Sequence, residues 1–267
     1  MATELVDASK LDACCTAEAN AIRAKTGNSA QIAYDWANSK GFADAIAAIP
    51  TGGADNLPTV ISGGNLGNYT ENTITNLRQY AFYYYSGITK FTGNSIVNIG
   101  GAAFRNCTNL EEIHLPAYSS STQGDIFNGC NKLTLVAFPS LTTFGIGSAN
   151  FANCTLLATA DLNLLTSIPA NTFMNCSALA TIILRKSDSL VSLANTNAFN
   201  GSSFRSGGTG GTIYIPKALY DHLGDGGSLD YKAASNWSTV VGYGTITWAQ
   251  IEGSQYENYY ADGTTIT

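Results

Sequence analysis

The chain has 267 residues, enough for one or two domains with buried cores of their own, so folding needs no disulfide or metal staple. Thirteen Lys and Arg against nineteen Asp and Glu leave a formal charge of −6, which argues against a surface built to neutralise nucleic-acid phosphates or anionic lipid. Only 12% of the residues are charged, about half the roughly 25% of an ordinary soluble domain, so solubility is expected to rest on Ser, Thr, Asn and Tyr. Glu4, Asp7, Asp12 and Glu18 interrupt the first stretch, which lacks a long apolar core and does not read as an export leader. The apolar runs fall far short of the roughly 20 residues that span a bilayer, and no membrane insertion is expected.

At the amino-terminal end, Leu5, Leu11, Ala19 and Ile22, then Ile32, Trp36, Phe42, Ile46 and Ile49, predict two or three short amphipathic helices. They are stopped at Thr26-Gly27 and at Pro50, and a Thr-Gly-Gly-Ala linker follows. The strings ANAIRAKTG (19–27) and GFADAIAAI (41–49) resemble a short module near the start of many tail proteins of phages and prophages of Gram-positive hosts. That resemblance implies docking of residues 1–50 to other virion tail proteins, with Arg23 and Lys25 as candidate docking residues beside a plain solvated helix end.

An internal repeat then takes over. Phe82, Phe104, Phe127, Phe151, Phe173 and Phe199 are spaced by 22, 23, 24, 22 and 26 residues. Three residues after each come Tyr85, Cys107, Cys130, Cys154, Cys176 and Ser202; six after the first five come Ile88, Leu110, Leu133, Leu157 and Leu179. Nine after them stand Phe91, Ile113, Val136, Ala160 and Ile182, in stretches such as Glu111-Glu112-Ile113-His114-Leu115 that alternate polar and apolar like a short strand with one buried face. A single unit cannot bury its apolar side, but stacked units make a continuous core with Phe on Phe, Cys on Cys and Leu on Leu.

The stretch IVNIGGAAFRNCTNLEEIHLP (96–116) and its counterpart TSIPANTFMNCSALATIIL (166–184) resemble the BspA-type leucine-rich repeat. The resemblance runs over about residues 74–216, with Tyr85, Asp125-Ile126 and Ser202 as departures from the pattern. It implies an α+β fold: a leucine-rich-repeat solenoid of five to six repeats of 22–26 residues, with short parallel strands, a small helical amino-terminal module and a carboxy-terminal cap. The expected organisation is a helical docking module (1–50), a linker and amino-terminal cap (51–73), the solenoid (74–216) and a carboxy-terminal cap and extension (217–267). In the last part, Ile213-Tyr-Ile ended by Pro216 reads as a final repeat strand, helical pieces follow, and 244–248 alternates like one more strand. Glu252 to Thr267 is polar, is expected to be loosely packed and gives no functional reading of its own.

The chemistry-bearing residues point away from catalysis. Cys107, Cys130, Cys154 and Cys176 share one register, which predicts a packed column of free thiols; metal ligands would have to converge on one point. Cys14 and Cys15 are neighbours on an expected helix, with at least one in its core. The two histidines, His114 beside Glu112 on a strand and His222 near Asp221 and Asp225 in the cap, lack a nucleophile in a recognisable pattern. No Walker loop or dinucleotide fingerprint is present. The expectation is a protein with no catalytic residue, metal or cofactor.

What remains is a surface. The residues eight and ten after each Phe face outward: Lys90 and Thr92, Glu112 and His114, Leu135 and Ala137, Thr159 and Asp161, Thr181 and Ile183, continued by Tyr214. Leu135, Ala137 and Ile183 are more apolar than a solvated strip requires, which marks the strip as a candidate binding face; the alternative is that it is inert or covered by the chain's own termini. Tyr80, Tyr83, Tyr84 and Tyr85, and Tyr256, Tyr259 and Tyr260, offer either stacking platforms or edge packing. The two resemblances together suggest a phage or prophage tail protein that recognises a host-surface protein or glycan through this face. The alternative is a bacterial surface adhesin or structural interaction protein. The expected location is a virion tail or an extracellular surface.

Overall fold

The computed structural model describes residues 66–121, 123–145 and 149–266, together with the backbone of β1 (Glu4–Leu5) and β2 (Ala33–Tyr34). The chain divides into two units, Met1–Leu66 and Gly67–Thr267. In the first, β1 and β2 pair antiparallel, so at Leu5 and Ala33–Tyr34 the backbone is strand where helical spacing pointed to helix. The rest of the helical module expected over 1–50, Cys14 and Cys15 included, lies outside the described residues.

The second unit is a parallel-strand solenoid of about six turns. One face carries β3 (Gly67–Glu71), β5 (Ile88–Gly93), β7 (Glu112–His114), β9 (Leu135–Ala137), β10 (Thr159–Asp161), β12 (Thr181–Ile183), β14 (Gly211–Ile215) and β15 (Ile246–Gln250). These form two parallel sheets, β3-β5-β7 and β9-β10-β12-β14-β15. Two-residue strands make a second row: β4 (Asn76–Leu77), β6 (Asn98–Ile99) and β8 (Ser120–Ser121), then β11 (Ser167–Ile168) and β13 (Ser192–Leu193). β3 falls in the stretch read as linker and cap and adds a turn ahead of the first Phe unit. β15 is the additional strand that alternation over 244–248 suggested.

A column of phenylalanines holds the turns in register. Phe82, Phe104, Phe127, Phe151, Phe173 and Phe199 stack ring on ring at centroid spacings of 5.1 to 5.8 Å, with interplanar angles of 3° to 14°. All are at most 1% exposed. The backbone of the first five joins the same column: the N–H of Phe104 donates to the Ile126 carbonyl at 2.9 Å, that of Phe127 to the Asn150 carbonyl at 2.9 Å and that of Phe151 to the Thr172 carbonyl at 2.9 Å.

The cysteine column is wired to it. The thiols of Cys107, Cys130, Cys154 and Cys176 donate to the carbonyls of Phe82, Phe104, Phe127 and Phe151 in the preceding turn, at 2.9 to 3.1 Å. Burial pushes the Cys130 and Cys154 thiols well above their ordinary pKa and that of Cys176 up to about 12, so they stay protonated donors. Two residues after each Phe the backbone is left-handed, at Tyr84, Asn106, Gly129, Asn153, Asn175 and Gly201. Asn and Gly tolerate that conformation best, which accounts for the Asn-Cys of the repeat. Asn175 donates to Asn153, and Asn153 to Asn128, along the outside of this bend.

The last turn is closed by aromatic side chains. Phe204 and Trp237 pack on Phe199, and Tyr231 and Trp248 pack on Trp237. Trp237 lies on α2 (Ser235–Val241), which follows the short α1 (Lys217–Tyr220). Both backbone groups of Val191 are tied to this cap, its N–H to the Tyr231 hydroxyl at 2.9 Å and its carbonyl to the Trp237 indole N–H at 2.7 Å. Among the described residues no helix is long and apolar enough to cross a membrane.

Truncating the middle ring, Phe127→Ala, is expected to cost about 3–5 kcal/mol, read as a lowered urea midpoint. Of six cysteines, four stand in the buried column, so a thiol reagent should titrate at most the remaining two in the folded protein and all six in denaturant.

Candidate functional site

Within each of the two sheets, in-register pairing aligns the residues eight and ten after the Phe into two rows. Lys90 pairs with Glu112 and Thr92 with His114; Leu135, Thr159, Thr181 and Thr212 continue the first row, and Ala137, Asp161, Ile183 and Tyr214 the second. The inward residues between them, such as Ile113, Val136, Ala160 and Ile182, are buried. The candidate positions thus fall on two neighbouring sheets, β3-β5-β7 and β9-β10-β12-β14-β15, and their surroundings differ.

At the amino-terminal end the face is open. Lys90, Thr92, Glu112, His114 and Leu135 line a cavity of ≈ 520 Å³, whose other wall is Ala261, Asp262 and Thr264 from the carboxy-terminal tail. The Lys90 ammonium lies 2.6 Å from the Glu112 carboxylate, and Lys132 reaches towards Glu111 at 4.0 Å. These exposed pairs contribute at most about 1 kcal/mol each to stability. His114 Nδ1 stands 3.5 Å from an Asp262 carboxylate oxygen.

Towards the carboxy-terminal end the expectation of outward-facing side chains needs correction. Ala137, Asp161 and Ile183 are at most 2% exposed. The tail after β15 crosses their row: the Tyr256 ring packs edge-on against Tyr214 at 4.8 Å, the Ala261 N–H donates to Asp161 at 3.0 Å, and Asp262 reaches His114. Ala137 and Ile183 sit between residues that the tail touches. Thr159 and Thr181, in the other row, stay half-buried outside the cavity. Of the two alternatives for the strip, self-coverage by the chain holds for this half.

The residue that fastens the tail, Arg185, carried no signal in the sequence. Its Nε and Nη2 donate to the two Asp161 oxygens at 3.0 and 2.7 Å; Nη1 and Nη2 donate to the Tyr256 and Tyr259 carbonyls at 2.7 and 2.9 Å. The guanidinium carbon lies 5.1 Å from the Tyr260 ring centroid. Burial pushes the Asp161 carboxyl above its ordinary pKa, while Arg185 and the Ala261 N–H pull it down. The arrangement can recognise main-chain carbonyls, an N–H and aromatic rings.

The remaining candidates lie elsewhere. His222 Nδ1 is 2.7 Å from Asp225 on the exposed cap, and its hydrogen bond holds the Asp225 carboxyl below the usual range. Tyr80, Tyr83 and Tyr84 stack edge to face near the first Phe, with Tyr84 60% exposed. Among the described residues no group of three or more His, Cys, Asp or Glu side chains is placed to hold a metal.

Short parallel strands, one per repeat, stacked on a Phe and Cys column and presenting one strand face, define a leucine-rich-repeat solenoid. The chain belongs to the BspA type leucine rich repeat family, whose model matches residues 72–205, half of the chain, in six copies. No curated protein matches the chain. Among solved structures it is similar to a leucine rich repeat protein of T. pallidum, at 21% identity over 48% of this chain and 69% of that one with a TM-score of 0.39. It is also similar to one from Bacteroides ovatus, at 19% identity over 71% of this chain and 46% of that one with a TM-score of 0.33. A leucine rich cell surface protein of Faecalibacterium prausnitzii matches at 15% identity over 76% of this chain and 83% of that one, with a TM-score of 0.24. The family match does not extend to residues 1–71, where the phage-tail resemblance lies.

Arg185→Ala removes the fork that holds two tail carbonyls and strips Asp161 of its counter-charge. A buried unpaired charge costs about 3–5 kcal/mol, so the tail is expected to lift and let water reach the carboxylate. Chymotryptic cleavage at Tyr256 and Tyr259 should then run at least about tenfold faster than in the parent protein, the factor that corresponds to 1.4 kcal/mol.

Proposed function

We propose that this protein is a non-enzymatic interaction protein of the BspA-like class, working outside the cell as an adhesin and binding a surface protein or glycan through the open half of its strand face. One observation carries the reading. Lys90 and Thr92 stand in register with Glu112 and His114 on parallel strands, and with Leu135 of the next sheet they line an accessible cavity of ≈ 520 Å³. A rigid scaffold that presents a few polar and apolar side chains around a concavity has the form of a recognition site. Solenoids commonly bind through such extended faces. The charge-poor surface, rich in hydroxyl and amide groups, fits an extracellular setting. The reading as a phage-tail component, with residues 1–50 docking other virion proteins, rests on the resemblance of those residues alone and is the less supported of the two.

A photo-crosslinking side chain at Thr92, in the cavity, is expected to give a discrete adduct on intact cells that Glu112→Lys abolishes. The same group at Thr155, exposed on a repeat turn, is expected to give none. Equal adducts from both positions, or none from Thr92, would count against the open face as the binding site.

A further inference from the structure

The roof and floor of the covered half differ in burial. Among the described residues Ile251 is the last that is buried; none from Glu252 to Ile266 is. The tail instead closes on itself. The Tyr260 N–H donates to the Thr264 carbonyl at 2.8 Å, the Ile266 N–H to Asn258 at 3.0 Å, and Tyr259 bridges antiparallel to Thr265. Asp262 Oδ1, at the tip, accepts from the Thr264 N–H and hydroxyl. The floor, Ala137, Asp161 and Ile183, is at most 2% exposed.

The hairpin is thus held on the solenoid by the Arg185 fork, the Asp161 carboxylate, the two tyrosine ring contacts and the Asp262 tip, without a buried apolar anchor of its own. A segment held in this way opens locally at lower cost than the strands it covers. Gly253, between it and β15, has φ +78° with nothing near the position of an added Cβ, which suits a hinge.

We propose that the carboxy-terminal hairpin is a displaceable self-ligand, and that the trough beneath it is a docking site for a partner protein's loop of the same chemistry. That loop carries two tyrosines followed by an acid, and its main chain is read by Arg185 and Asp161. The trough selects a peptide, since Arg185 is set for two carbonyls of one turn and Asp161 for an N–H further along the same segment. His114, paired with Thr92 on the neighbouring strand and 3.5 Å from Asp262, receives the acid. This rests on the strand face being the working surface and extends it from the open half to the covered one.

The test uses the full chain carrying Tyr256→Ala, Tyr260→Ala and Asp262→Ala, which weakens the hairpin and leaves the trough intact. A fluorescein-labelled peptide of residues 254–267 should bind this variant saturably and about tenfold or more tighter than the parent, whose tethered hairpin competes at high effective concentration. The same peptide with the three substitutions should not bind. Equal binding to both chains, or none to a variant with the parent's circular dichroism, overturns the proposal.

A second measurement needs no variant. Excess peptide added to the parent protein should speed hydrogen exchange at the Ala261 amide and leave that of Thr181 unchanged; no change at Ala261 overturns the proposal. A concentration-dependent dimer of the parent that vanishes in the triple variant would make a second copy the occupant and overturn the partner assignment. The crosslinker at Thr92 probes the open half, so either reading can fail without the other.

Discussion

The outer surface of this solenoid depends on the phenylalanine column at its centre. Fixing the backbone of a three-residue strand such as β9 or β10 costs about 3–6 kcal/mol at 1–2 kcal/mol per residue, and few ladder hydrogen bonds are available to offset it. Each repeat answers with one ring, whose full burial contributes roughly 1.5–3 kcal/mol, and the first four also with an N–H and a carbonyl that bond to the neighbouring turn. Because ring, amide and cysteine thiol all act at the same residue, they fix the height of one turn on the next. A slip of one residue would break all three together. That is why strands this short stay in register across sheets joined only through the stack.

Register at the core fixes what the surface can do. Repeat lengths vary from 22 to 26 residues, so the extra residues must leave the stack somewhere other than at the Phe or the strand. In the longest repeat most of them lie between β12 and β13, a segment whose second residue is Arg185. At the equivalent place, twelve residues after the Phe, the earlier repeats carry Pro116, Pro139 and Asn163. The exchange of a strand-ending proline for an arginine puts a cation beside Asp161, the one acid among the described residues ten after a Phe. Neither charge would be stable under a roof alone. Together they form a bidentate pair with spare N–H groups for the tail.

Much of this was legible in the residues. The Phe, Cys and Leu columns declare themselves because each repeat must place the same side chain at the same height, and alternation around Ile113 or Ile182 separates inward from outward positions. The Asn-Cys step likewise announces a bend that favours Asn or Gly. The other left-handed residues, Tyr80, Ala102, Asp125, Ala149 and Asn171, did not announce themselves, because there the stack imposes the conformation on whatever residue is present. The roof over Ala137, Asp161 and Ile183 was the largest gap. Its contacts run through the carbonyls of Tyr256 and Tyr259 and the N–H of Ala261, and main-chain groups leave no trace in residue identity. A segment without periodicity, such as 252–267, gives no clue to where it lies until the surface that receives it is known.

The two halves of the face therefore obey different physics. On the open half, Lys90 and Glu112 are solvated, so their attraction is screened, and in the proposed reading they would act by orienting a partner and tuning its rate of approach. On the covered half, Asp161 and Arg185 are out of water, and any group replacing the hairpin must restore two carbonyls and an N–H to them or leave a buried charge unpaired. Such a requirement contributes little to net stability, since desolvation offsets most of the attraction. It contributes strongly to selectivity, because a ligand lacking those groups meets the full cost. A covered half of this kind rejects most surfaces that the open half would tolerate, and the boundary between them falls at His114, the row residue that touches both the cavity and the tip of the tail.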